Sequence, residues 1–140
     1  MKIIRFLIAA LLSTAAFGQG ALAPAKLVQP STDSWPTYNG DYSGRRYSTL
    51  SKINSGNLRS LGLSWVFRAV PGGNLSTAIK STPLVVNGIM YFTIPDHAWA
   101  VDARTGRQIW HYEWKSQGGD HIGNRGVGII GDSLFFETPD

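Results

Sequence analysis

An all-β fold is what this sequence predicts, and three observations predict it. Short runs of strand formers follow one another from residue 63, and two of them flank Asn87-Gly88. A stretch of twelve residues comes back at an offset of 44. The composition is rich in turn formers and large rings, with 16 Gly, 7 Pro and 5 Trp among 140 residues. Only 16% of the residues are charged and 43% are hydrophobic, which excludes a disordered chain. There is no Cys, so a disulfide framework or a Cys-ligated zinc or iron–sulfur site is excluded as well.

Residues 1–23 read as a secretory signal peptide. Lys2 and Arg5 precede the twelve-residue apolar run Phe6–Phe17, and small residues follow at Gly18, Gly20, Ala21 and Ala23. That run is shorter than the roughly 20 residues a membrane-spanning helix needs. Cleavage falls between Gly18 and Ala23 on this reading, and the rival reading is a buried N-terminal helix. The 13 Lys+Arg and 9 Asp+Glu give +4, and loss of Lys2 and Arg5 leaves +2. No basic cluster remains to face phosphates, so no nucleic acid partner is expected. Export implies the periplasm.

Residues 24–62 form a lead segment. Ala21–Ser34 lacks hydrophobic periodicity, whereas Trp35–Ser48 is packed with turn formers and aromatics and predicts irregular structure pinned by rings. Ser51–Leu61 predicts a short helical turn with Ile53, Leu58 and Leu61 as a small apolar face, and Gly56 argues against a longer helix.

Residues 63–140 read as strands. Leu63–Arg68 is rich in β-formers, and Thr82–Val86 and Ile89–Thr93 form a hairpin about Asn87-Gly88. Trp99–Asp102 makes a third strand of the meander, Thr105-Gly106 turns the chain, and Arg107–Tyr112 makes the fourth. The repeat then decides the architecture. Val85–Asp96 aligns without a gap on Ile129–Asp140, with Phe92/Phe136, Pro95/Pro139 and Asp96/Asp140 identical. Leu63–Phe67 aligns on Gln108–Tyr112 at an offset of 45, which pairs Trp65 with Trp110. Four short strands per unit of about 44 residues is the signature of a β-propeller blade.

Between the hairpins stands Ala100-Val-Asp-Ala-Arg-Thr-Gly-Arg-Gln-Ile-Trp110. It resembles the tryptophan-docking repeat of the quinoprotein dehydrogenases, the pyrroloquinoline quinone (PQQ) alcohol dehydrogenases. The resemblance extends over Trp35–Ser48, Asn57–Phe67, Ser81–Tyr91 and Gly118–Gly126, nearly all of the chain after the leader. It implies an incomplete propeller: one four-stranded blade and parts of its neighbours, from an eight-bladed ring. In the motif, Gly106 takes a positive φ at no steric cost and Asp102 accepts backbone N–H bonds across the turn. Ala100 leaves room for a large ring, which Trp110 is expected to supply as a buried clamp between blades.

The resemblance also implies site residues. Arg125, within Asn124-Arg125-Gly126, matches an arginine that contacts PQQ, whose three carboxylates suit a guanidinium that stays charged. Two positions depart from the family pattern. Lys80 stands where many relatives have an acidic residue, and is expected to pair with a PQQ carboxylate. Gly118-Gly119 stand where relatives have adjacent cysteines over one face of the quinone, so here bare backbone would approach the ligand. His97, His111 and His121 show no metal-ligand spacing. A length of 140 residues is too short for about eight blades of about 45, so the catalytic Asp and calcium ligands are expected beyond Asp140. As a whole, such an enzyme oxidises an alcohol or sugar with PQQ beside Ca²⁺, a carboxylate taking the proton and a periplasmic or membrane acceptor taking the electrons. The rival expectation is a non-catalytic propeller of the same repeat class, acting in envelope binding or assembly.

Overall fold

The computed structural model describes residues 21–69, 79–118, 123–138 and 140. The leader reading therefore falls on residues that lie largely outside those described, as do Gly119 and His121.

Four strands, β1 (Leu84–Val86), β2 (Ile89–Ile94), β3 (His97–Asp102) and β4 (Gln108–Glu113), form one antiparallel sheet in the order β1-β2-β3-β4. This is the meander expected of a blade. Asn87 and Gly88 both have positive φ, 52° and 76°, as a two-residue hairpin turn requires. β1 opens only after Pro83, which has no N–H to give a ladder. The turn from β3 to β4 is held from within. The N–H groups of Arg104 and Thr105 donate to Asp102 Oδ1 at 3.0 and 2.9 Å, and the Gly106 N–H donates to the Asp102 carbonyl at 2.9 Å. A second hairpin, β5 (Gly128–Ile130) with β6 (Ser133–Phe135), repeats the first in shorter form.

Side chains alternate across the meander, so each row of the ladder belongs to one face. One face carries Met90, Phe92 and Ile94 from β2, Trp99 and Val101 from β3, and His111 from β4. It packs against Phe67 and Ala69. The other carries Val86, Tyr91, Ala100, Trp110 and Tyr112. Val86 packs there with Leu22 and Leu27, and Tyr91 and Ile129 join that cluster. Neighbouring units thus sit on either side of the sheet.

Two readings need correction, and the lead proves more ordered than its pattern. Leu63–Arg68 is extended, with Trp65, Phe67 and Ala69 half-buried and their neighbours exposed, yet it joins no ladder. Strand formers need a free edge, and the outer edge of β1 is taken by Trp35, which exchanges hydrogen bonds of 2.6 and 3.0 Å with Val85. The lead is ordered although Ala21–Ser34 lacks hydrophobic periodicity. Pro24–Val28 forms a 3-10 helix, and Leu22 is paired with Gly131 through bonds of 2.8 and 2.9 Å. The helical turn at Leu58–Ser60 exists, but Ile53, Leu58 and Leu61 are exposed, so no apolar face is buried.

Trp110, expected as a buried clamp, is 36% exposed within these residues, and its ring approaches Tyr91 (6.1 Å between centroids) over the fully buried Ala100. The indole on this blade's Thr-Gly turn is Trp65. A Cβ at Gly106 would lie 2.7 Å from that ring, and Trp65 Nε1 donates to the Ala103 carbonyl at 3.2 Å. The motif therefore receives its ring from the preceding unit, and the small Gly106 is what admits it.

Candidate functional site

The site grows from one buried amide. Asn124 is 7% exposed, and its Nδ2 donates to the Glu137 carbonyl at 2.9 Å. Its Oδ1 accepts the Thr93 hydroxyl and, at 2.8 Å, the Gly126 N–H. Thr93 is itself fully buried on β2, and its N–H donates to the Ser81 hydroxyl at 3.1 Å. Buried polar groups require such partners, so this network fixes the loop against the blade. Arg125 follows directly, exposed, with its carbonyl accepting the Thr82 N–H at 3.3 Å. Gly126 sits at φ 125°, where a Cβ would come within 3.2 Å of the Thr82 carbonyl, so a larger residue would push the loop off β1.

Lys80 reaches the same loop. Its aliphatic stem crosses Gly123, where a Cβ would meet Lys80 Cδ at 2.6 Å. The fold thus brings Lys80 against the loop that carries Arg125, next to Ser81-Thr82. Tyr38 stands beside them. The donors of Arg46 and Thr82 beside its hydroxyl, with the charges of Arg46 and Arg125, hold its pKa below the usual phenol value. The Arg46 guanidinium lies 4.5 Å from the ring centre. The only ion pair among the described residues joins Arg45 to Asp41 at 3.7 Å, so neither Arg46 nor Arg125 is neutralised by a carboxylate there. Cationic and hydroxyl donors gathered at one rim fit an anionic ligand with several carboxylates.

Gly118 is different. A Cβ there would meet nothing within 4 Å, so crowding does not demand a glycine, and its carbonyl accepts the Ser116 hydroxyl at 2.9 Å. The segment just before it is tied down by Asp140, whose carboxylate accepts the Gln117 N–H at 2.7 Å and the Trp114 Nε1–H at 3.0 Å.

The family model described as the glucose/ethanol/alcohol dehydrogenase β-propeller domain, PQQ, matches residues 35–134. The chain belongs to this family. A quinohemoprotein alcohol dehydrogenase of Comamonas testosteroni is 40% identical over 86 residues, 59% of this chain and 11% of that protein. The dehydrogenase subunit of a quinone alcohol dehydrogenase from Gluconacetobacter polyoxogenes is 33% identical over 143 residues, 94% of this chain and 18% of that protein. Among solved structures, a quinohemoprotein alcohol dehydrogenase of Pseudomonas putida HK5 superposes with a TM-score of 0.65 at 33% identity, covering 75% of this chain and 16% of that one. The chain thus spans less than a fifth of the length of these relatives. For this PQQ-family chain the incomplete-propeller fold stands.

His97 and His111 serve the blade. His97 Nδ1 and His111 Nε2 lie 3.1 Å apart, and the His111 ring stacks on Trp99 with centroids 4.6 Å apart. Burial, then the neighbouring His111, depresses the pKa of His97. Tyr38 and Arg46 were not legible as site residues in the sequence, because only the Trp35–Val85 bridge brings their segment to Thr82.

Proposed function

We propose that this chain supplies the first part of the cofactor-holding propeller of a periplasmic quinoprotein dehydrogenase that oxidises alcohol or sugar hydroxyl groups. PQQ would supply the two-electron acceptor and calcium a Lewis acid beside it. The observation that carries the reading is the buried Asn124, which orients a loop whose next residue is an arginine facing solvent. Arg125 holds a carboxylate in a bidentate pair, and Lys80 adds a point charge from against the same loop. Ser81 and Thr82 keep the two in register through Thr93 and the Arg125 carbonyl. Gly118 and Gly119 leave backbone free to approach a flat ligand. Electrons leave to a periplasmic or membrane acceptor.

The test adds PQQ and Ca²⁺ to the whole protein and follows dye reduction with alcohols and sugars. Reduction that needs all three components is the expected result. Lys80→Glu should weaken PQQ binding. A protein that binds no PQQ would favour the non-catalytic propeller.

The export reading gains a boundary from the fold. Leu22 is 7% exposed and paired with Gly131, which favours cleavage ahead of Leu22 over cleavage after Ala23. N-terminal sequencing of the secreted protein should give a mature chain that retains Leu22.

A further inference from the structure

The segment before the blade does more than seal an edge. Trp35 pairs with Val85, and three residues later Tyr38 arrives at Thr82. Thr82 then serves two neighbours at once. Its N–H donates to the Arg125 carbonyl at 3.3 Å, while its side chain lies beside the Tyr38 hydroxyl. Arg46 returns over the Tyr38 ring at 4.5 Å, and its Nε donates to Asn39 Oδ1 at 2.8 Å. Arg46 does this from a left-handed backbone with φ 53°, which a residue with a Cβ adopts at a cost. An arginine that is exposed would ordinarily be free to swing away. Here the Tyr38 ring and the Asn39 amide hold it beside the phenol that the charge of Arg125 also reaches.

The charges of Arg46 and Arg125 both act on the Tyr38 hydroxyl, and two like charges about one group favour an anion near both. Among the described residues neither is in an ion pair with a carboxylate. We propose that Arg46 is a second carboxylate-binding cation of the cofactor site, and that Tyr38 is the positioning residue that holds it toward Arg125. This rests on the reading that Arg125 binds an acidic group of PQQ. The ligand chemistry is that of a polycarboxylate anion, for which two guanidiniums on different segments give both charge and orientation.

The experiment is a PQQ titration of the whole protein, stripped of cofactor, at several salt concentrations. Arg46→Gln should raise the PQQ dissociation constant about tenfold, the loss expected for one charged hydrogen-bonded contact, and should flatten its salt dependence. Arg46→Lys should recover part of the affinity, because it restores charge without the planar fork. Tyr38→Phe should weaken binding by about threefold, with its salt dependence retained, since the ring and Asn39 still hold the cation but the hydroxyl beside it is gone. Thermal midpoints should stay near the parent's for both Arg46 variants, whose side chain is exposed, so loss of fold does not mimic the effect. If Arg46→Gln binds as the parent does while Arg125→Gln loses binding, the proposal is overturned and the Arg125 reading survives. If Arg125→Gln also binds as the parent does, both fall.

Discussion

The two faces of the meander share one backbone and differ in how they are closed. On one, Phe92 and Trp99 stack at 5.4 Å between centroids, His111 continues the stack, and Phe67 meets Phe92 edge-on at 5.7 Å. On the other, Tyr91 and Trp110 approach over Ala100, and the row then opens into a cleft lined by Tyr112, Leu134, Phe135 and Phe136. Trp99 is 3% exposed and Trp110 36%. Both are indoles on adjacent strands of one sheet, so propensity does not separate them. What separates them is the neighbour: Phe67 and Ala69 seal the first face beside Trp99, whereas on the second Leu22, Leu27 and Ile129 cover the Val86–Tyr91 end and the Trp110–Tyr112 end meets the edge-on ring of Phe136, 5.9 Å from Tyr112. Burial in a repeat fold belongs to the interface between units rather than to a residue's place within one.

Truncation should expose the contrast most strongly. Trp99→Ala removes a ring from a closed stack and should cost about 3–5 kcal/mol, against about 1–2 kcal/mol for Trp110→Ala, whose ring is already partly in water. Chemical denaturation of the two variants side by side measures the gap, and equal losses would remove the distinction between the faces. The junction comes next. Gly106→Ala forces a Cβ into the Trp65 ring at a positive φ and should cost about 1–3 kcal/mol. In a Trp65→Ala background part of that cost should vanish, because the clash is gone while the backbone strain remains.

These effects mark what the sequence could convey. The Asn87-Gly88 and Thr105-Gly106 turns are local, so their residues announce them, and the 44-residue self-similarity carries the architecture. The repeat also pairs Trp65 with Trp110. It does not say which turn each ring meets, because Trp65 bonds to a residue 38 positions away. The order of the lead was hidden for a related reason. Leu22 and Leu27 have no periodicity of their own, and they are buried only because Val86 and Ile129 receive them. At the site, Arg125 was legible through Asn124 and Gly126, whereas Tyr38 and Arg46 sit in a run of similar aromatic and basic residues that nothing local distinguishes.

A smaller effect sharpens the closed face by pH. The His97 pKa is depressed in the folded chain, chiefly by burial, so the unfolded chain binds more protons as the solution turns acid. The stabilisation is complete above the ordinary imidazole value of about 6.5 and is lost as pH falls through the lower folded value. Thermal midpoints followed from neutral to mildly acid pH should therefore decline in the parent and decline less in His97→Gln. Equal slopes would mean that the His97–His111 pair does not couple to folding. The least change is expected at the turn. Asp102→Ala removes N–H acceptors for Thr105 and Arg104 on an exposed loop and should cost about 1 kcal/mol, read as a small drop in the denaturation midpoint.

The claim at the centre is that a buried amide, Asn124, presents a charged arginine to the acidic end of PQQ. Calorimetric titration of PQQ into the whole protein, parent against Arg125→Gln, tests it most directly. Saturable binding weakened at least about tenfold by the substitution, with the thermal midpoint of the unliganded protein unchanged, is the predicted result. Indistinguishable isotherms for the two proteins would contradict it.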